Sequence, residues 1–400
     1  MNMKADVVIV GTGVSGLFAA LNLPRDRKII LITKSDAESS DSFLAQGGIS
    51  VMRDEEDYSL YFEDTMRAGH YENRRESVDI MIRSSRDIIS DLVGYGVRFE
   101  KRDGGPAFTR EGAHSRPRIL YHEDETGKEI TGTLLKRVRE LPNAEILEYL
   151  TMTDIIEEDG CCAGVKAQSE SRGDVNIYAD FTIFACGGVG GNYDHSTNYP
   201  HLTGDGLRIA EAHGIRLENT DCVQIHPTTL YSEKPGRRFL ISESVRGEGA
   251  LLYGRDGKRF VDEIQPRDVV TEAIRKQMEK DKMPYVWLSM EPLGEETILR
   301  HFPNIHRRCL EEGYDVTKEW IPVVPAQHYL MGGIWVDSDS RTSMPGLFAV
   351  GETSCNGVHG MNRLASNSLL ESLVFAKRAA GKIAEEQAEE KVPAGAAANF

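Results

Sequence analysis

The segment Ala5–Val10 holds an unbroken apolar run from Val7 to Val10 that ends abruptly in glycine. A short apolar run bounded by turn residues predicts a strand buried on both faces. The glycine turn is GTGVSG, Gly11, Thr12, Gly13, Val14, Ser15 and Gly16, and the apolar stretch Leu17 to Leu23 after it reads as a helix. A second strand, Lys28 to Thr33, follows a short gap, so the chain opens as strand, glycine turn, helix, strand. In such a unit Gly11 permits the tight turn, Gly13 lets the backbone approach a pyrophosphate, and Gly16 allows helix and strand to pack closely. A glycine turn of this kind can be purely structural; its place between a strand and a helix favours a bound dinucleotide, FAD or NAD.

Amphipathic spacing predicts helices over Tyr58–Ala68 and Ser77–Tyr95, and a mixed strand region runs from about Glu145 to Phe184. That region ends in a buried strand, Phe181–Ala185, followed by Gly187, Gly188, Gly190 and Gly191, a second place where backbone can press against a cofactor. GDG, Gly204–Gly206, opens a helix through His213, in which Asp205 taken alone reads as an ordinary N-cap. From about Thr220 to Gln327 the strand–helix rhythm is lost. It returns with the strand in GLFAVGE, Gly346–Glu352, and the helix Asn367–Gln387. The expected fold class is α/β: a discontinuous Rossmann-like domain of residues 1–219 and 330–390, an inserted α+β capping domain of residues 220–329, and a disordered tail, 391–400.

Length and charge narrow the function. Four hundred residues exceed what one core organises and leave room for a cofactor between two units. With 47 basic against 63 acidic residues the net charge is −16, which repels nucleic acid and anionic membranes. The apolar run near the N-terminus lacks a basic leader and is far below the roughly 20 residues of a membrane span, so a cytoplasmic protein is expected. The six cysteines form no C-x-x-C pair, so no metal centre is expected and the thiols read as buried, free and in a reducing compartment.

Seven segments carry a family resemblance: SSDSFLAQGGIS (Ser39–Ser50), TREGAHSRPRIL (Thr109–Leu120), IHPTTL (Ile225–Leu230), SESVRGEGA (Ser242–Ala250), QPRD (Gln265–Asp268), PAQHYLMGGI (Pro325–Ile334) and GETSCNGVHGMNRLASNSLLES (Gly351–Ser372). Their order and spacing resemble those of the L-aspartate oxidases and, more loosely, the flavoprotein subunits of succinate dehydrogenase and fumarate reductase, over residues 5 to about 388. Many L-aspartate oxidases continue into a C-terminal helical domain without a counterpart here, so functions resting on that domain, such as partner docking, are not carried over.

The resemblance implies non-covalent FAD. It places Lys34 near the adenosine half, where a solvated surface lysine is the alternative. Ser40, Asp41, Ser42, Phe43, Leu44, Ala45, Gln46, Gly47 and Gly48 would wrap the ribityl chain and isoalloxazine, with Gln46 and the two glycines suited to its polar edge and N5. Asp205 and Glu352 would bind sugar or ribityl hydroxyls. Asn367, Ser368 and Leu369 open the last helix, whose unpaired N–H groups and positive end suit the N1/O2 edge of an anionic reduced flavin. Asp41 stands where membrane-bound succinate dehydrogenases carry the histidine joined to FAD.

For the substrate, the resemblance groups His226, Thr228, Arg267, His328 and Arg363 as clamps for the two carboxylates of a four-carbon acid such as aspartate, fumarate or succinate; taken singly, each is more often a satisfied structural residue. Arg267 matches the acid/base arginine of the superfamily, and Glu243 would complete a proton relay. Glu111 separates the readings, because aspartate carries an ammonium that a carboxylate can hold and succinate carries none. The implied reaction is hydride transfer from the α-carbon of L-aspartate to flavin N5, giving iminoaspartate, with reoxidation by oxygen or fumarate, in the quinolinate branch of NAD biosynthesis and with a hand-off to quinolinate synthase. The alternatives are a fumarate reductase or succinate dehydrogenase flavoprotein, and a non-catalytic flavin-binding protein.

Overall fold

The computed structural model describes residues 1–390; the expected tail, 391–400, lies outside the described residues. The apolar run at the N-terminus becomes the strand Asn2–Val10, at the centre of a seven-stranded sheet. It pairs in parallel with Ile29–Ile32 on one side and Gly173–Phe184 on the other, and Ala144–Leu147 extends the sheet in parallel beyond Ile29–Ile32. Val7, Val8 and Ile9 are fully buried, which is why the run does not alternate. Cys161–Ser169 and Thr151–Glu158 continue the sheet as antiparallel strands, and Leu347–Ala349 returns late in the chain to pair in parallel with the end of Gly173–Phe184.

The helix after the glycine turn starts at Val14, three residues earlier than the apolar pattern indicates, and ends at Asn22. It is sandwiched in one core with the last helix, Asn367–Glu390, whose Leu370, Leu373, Phe375 and Ala379 are fully buried. The turn is tight for a reason visible at Gly11. It has φ of 116°, and a Cβ built there would stand 2.0 Å from the carbonyl oxygen of Ala185, the residue that follows the neighbouring strand.

Between residues 223 and 330 the chain forms a separate four-stranded antiparallel sheet in the order Val223–Leu230, Ile321–Leu330, Val286–Ser289, Leu251–Tyr253. It has its own apolar core, which includes Ile241, Leu252, Ile274, Leu288 and Ile321, and the helix Arg267–Asp281 packs on it. Among the described residues no helix is long and apolar enough to cross a membrane. The cysteines are all free, but Cys161 is exposed and Cys186 only partly buried, which corrects the expectation that all are buried.

Candidate active site

A cleft runs from the glycine turn of the large sheet to the edge of the antiparallel sheet. Its floor at one end is Gly11, Thr12, Gly13, Val14 and Ser15, and its wall is Ser40–Ser42 with Leu44–Gly48. Ser42 Oγ accepts from the Val14 amide at 3.0 Å and so ties the wall to the helix start. Ser40 Oγ, Asp41 Oδ2 and Gln46 Oε1 are buried there without a partner in the protein. Bare glycine backbone at a helix N-terminus beside unpaired donors and acceptors is what a dinucleotide needs, so the residues fit FAD.

Lys34 and Asp205 line the cleft, both partly buried, and pair at 2.5 Å. Asp205 is not an N-cap; Gly204 holds that position, and the Asp205 carboxylate also accepts from the Thr203 hydroxyl at 3.1 Å. Burial raises the carboxyl of Glu352 to about 8, with Asp41 nearby adding to the effect, and one Glu352 oxygen accepts from the Leu330 amide at 2.9 Å. Burial likewise raises Asp41 to about 7, although it accepts from the Tyr199 amide at 2.9 Å.

Ser368 and Leu369 line the cleft at the start of the last helix. Three expected cofactor residues do not line it. Asn367 faces the interior, where its side-chain oxygen accepts from Tyr61 Oη at 2.8 Å. Phe43 packs against the large core instead, and Gly16 serves packing: a Cβ there would lie 2.2 Å from the Gly11 carbonyl oxygen.

At the other end the cleft meets His226, Ser242, Glu243, Arg267, His328 and Arg363. Arg267 Nε donates to Glu243 Oε2 at 2.5 Å, and Arg246 Nη2 lies 3.7 Å from the same oxygen. Burial opposes ionisation of Glu243, yet Arg267 and Arg246 hold its carboxyl below the usual range. Gln224 joins the two clamps: its Oε1 accepts from Arg267 Nη1 and its Nε2 donates to the Arg363 carbonyl oxygen, both at 2.8 Å. Arg363 Nη1 donates to Ser368 Oγ at 2.6 Å, and its guanidinium lies 4.4 Å over the Tyr329 ring. Burial, with Arg267 beside it, lowers Arg363 to about 10. The His226 and His328 rings meet at 5.2 Å; burial and Arg267 hold both far below the ordinary histidine range, so they are neutral donors or acceptors.

Thr228 is a correction. The pairing of Val223–Leu230 with Ile321–Leu330 shifts register between His226 and Thr229, and this irregularity breaks the alternation that would keep Thr228 beside His226. Its hydroxyl donates to the Ile241 carbonyl at 3.0 Å and its amide to His226 Nδ1 at 3.2 Å, so it orients the histidine from behind. Ser242 lines the cleft where Thr228 does not, as the N-cap of the short helix Glu243–Gly247. Sequence reasoning missed Ser242, Arg246 and Gln224. Ser242 and Arg246 stand in the same quoted segment as Glu243, and Arg246 is one helical turn beyond it; Gln224 had no signal before the fold was known.

Glu111 is buried where the two ends of the cleft meet: a Cβ at Gly47 would stand 2.4 Å from its Oε1. Burial and the neighbouring Glu243 raise its carboxyl to about 7, with Ser366, Arg267 and Arg363 working in the other direction.

These features define a dinucleotide-binding flavoprotein, and the FAD binding domain family matches residues 6–369. Within that class the chain belongs to the L-aspartate oxidases. It is 48% identical over 384 residues to an L-aspartate oxidase of Clostridium perfringens, covering 96% of this chain and 87% of that protein. An L-aspartate oxidase of Pseudomonas aeruginosa is 38% identical, over 94% of this chain and 74% of that one. Among solved structures, a variant of E. coli quinol fumarate reductase superposes with a TM-score of 0.91 at 32% identity, over 98% of this chain and 71% of that chain.

Proposed function

We propose that the protein oxidises L-aspartate to iminoaspartate with FAD, feeding the quinolinate route to NAD, and that oxygen or fumarate reoxidises the flavin. The observation that carries this reading is Glu111, a buried carboxylate standing between the cofactor wall at Gly47 and a pocket of two arginines and two histidines. Bound FAD supplies the acceptor for the hydride equivalent leaving the substrate α-carbon. Arg363 and Arg267 clamp the two carboxylates, with His226, His328 and Ser242 as further polar contacts. Glu111 receives the ammonium and takes its proton, so that the nitrogen lone pair can form the C=N bond; a group titrating near 7 is suited to that exchange. Glu243, held ionised between Arg267 and Arg246, keeps the Arg267 guanidinium in place.

In the same reading residues 220–329 act as the capping domain, the cytoplasm suits six free thiols, and the reactive imine passes to quinolinate synthase. The test is anaerobic mixing of the holoprotein with L-aspartate, D-aspartate and succinate while flavin absorbance is followed. Bleaching by L-aspartate alone is expected. Bleaching by succinate without any by L-aspartate would make the protein a succinate dehydrogenase or fumarate reductase flavoprotein.

A further inference from the structure

Glu111 is held in one direction by another residue of the cleft, Ser366. Its Oε2 accepts from the Ser366 hydroxyl at 2.5 Å. Ser366 has φ of 59°, in the left-handed region that side chains other than glycine adopt rarely and at a cost. Two hydrogen bonds fix this backbone. The Ala365 carbonyl accepts from His114 Nε2 at 2.9 Å, and the Ser366 carbonyl accepts from the Ser50 amide at 3.0 Å.

His114 is itself locked. Its Nδ1 lies 3.0 Å from Arg118 Nη1, which can only donate, so the ring proton sits on Nε2 and points at Ala365. Burial and Arg118 lower this histidine to about 4, which keeps it in that neutral form. Arg118, fully buried, is fixed in turn by Asp57 at 2.8 Å and Asp64 at 2.7 Å. Clamping the carboxylates requires none of these groups, yet together they impose a strained conformation whose result is a hydroxyl aimed at Glu111.

We propose that Ser366 is a positioning residue that presents Glu111 to the amino group of the substrate, with His114 and Arg118 as the brace that holds it there. The proposal rests on the reading of Glu111 as the ammonium partner. Besides Ser366, the charged groups acting on Glu111 are Glu243 and Arg246 from the short helix, Arg267 from the helix behind it and Arg363 from the loop before the last helix. All of them remain when the Ser366 hydroxyl is removed, so a change in Glu111 then reports that hydroxyl alone.

Ser366→Gly is the test, because glycine adopts a positive φ freely and the fold and flavin content are kept. Loss of a donor to the ionised carboxylate moves the acidic limb of kcat/KM for L-aspartate up by about one pH unit. Near pH 7 the ionised fraction then falls from about a half to about a tenth, and the ratio of kcat/KM for L-aspartate to that for fumarate drops about fivefold. In the Glu111→Gln background Ser366→Gly should change that ratio by less than about twofold, as expected of a residue acting through Glu111. An unmoved limb, or a further fivefold drop in the Glu111→Gln background, overturns the proposal. If Glu111→Gln itself leaves the ratio intact, the ammonium reading falls and this proposal with it. If Glu111→Gln lowers the ratio while Ser366→Gly does not, only the proposal falls.

Discussion

At the scale of single residues, two carboxylates in one cleft are asked to do different things. Glu243 sits between two arginines that keep it ionised, whereas Glu111 is raised to about 7 by burial and by Glu243 itself. A substrate ammonium restores the missing positive partner, and a substrate without one does not. Glu111→Gln keeps the size and removes the charge. The loss of one charge-assisted contact of about 1.5 to 3 kcal/mol should lower kcat/KM for L-aspartate at least about tenfold, with a much smaller change in fumarate reduction by reduced enzyme. The pH dependence carries the same sign: L-aspartate turnover falls as pH drops through about 7, where the raised Glu111 gains its proton, and the variant loses that limb. Equal losses for both substrates would assign Glu111 to shared machinery. Asp41 offers a carboxylate where covalent attachment needs an imidazole, so acid precipitation should leave a yellow supernatant; a yellow pellet would refute non-covalent FAD.

At the scale of elements, what could be read in advance was what neighbouring residues decide for themselves. Strand, glycine turn and helix were legible because the positive φ of Gly11 is a local demand of the turn, and the last helix because its apolar face repeats from Leu369 to Ile383. The antiparallel sheet was not legible: Val223 pairs with Leu330 across more than a hundred residues, and no local pattern encodes that register. Thr228 was misplaced for the same reason, since a register shift is a property of two strands. Gln224 was missed because its importance lies in touching both arginine segments at once. The legible part gives its own test. Gly11→Ala adds strain from the positive φ and a clash with the Ala185 carbonyl, together costing about 2 to 4 kcal/mol, and it parts the central strand from its neighbour at the cofactor floor. The variant should fold with a lowered melting temperature and purify largely free of flavin. Full flavin content would show that this turn does not hold the cofactor.

At the scale of the whole molecule, the clamps belong to different parts of the chain. Arg267 opens the helix packed on the antiparallel sheet, while Arg363 and Ser368 sit where the last helix joins the core around the glycine turn. A dicarboxylate held by both arginines ties the two parts together, and a ligand bound only by the folded protein stabilises it by mass action. Succinate at about 100 times its Kd then contributes about 2.7 kcal/mol. Divided by an unfolding entropy of about 0.8 kcal/mol per kelvin for a chain of this size, that raises the melting temperature of the holoprotein by about 3 °C. Arg363→Leu removes one charge-assisted pair, which weakens binding by about 10- to 150-fold, so at the same succinate concentration the shift should fall to half or less. Arg267→Gln should do the same from the other side, leaving Glu243 still accompanied by Arg246. FAD content should survive both substitutions, because neither arginine is needed at the glycine turn or along the Ser40–Gly48 wall. A full shift retained in one variant and lost in the other would place the ligand on one part of the molecule alone, and loss of FAD from Arg363→Leu would move that arginine from the substrate to the cofactor.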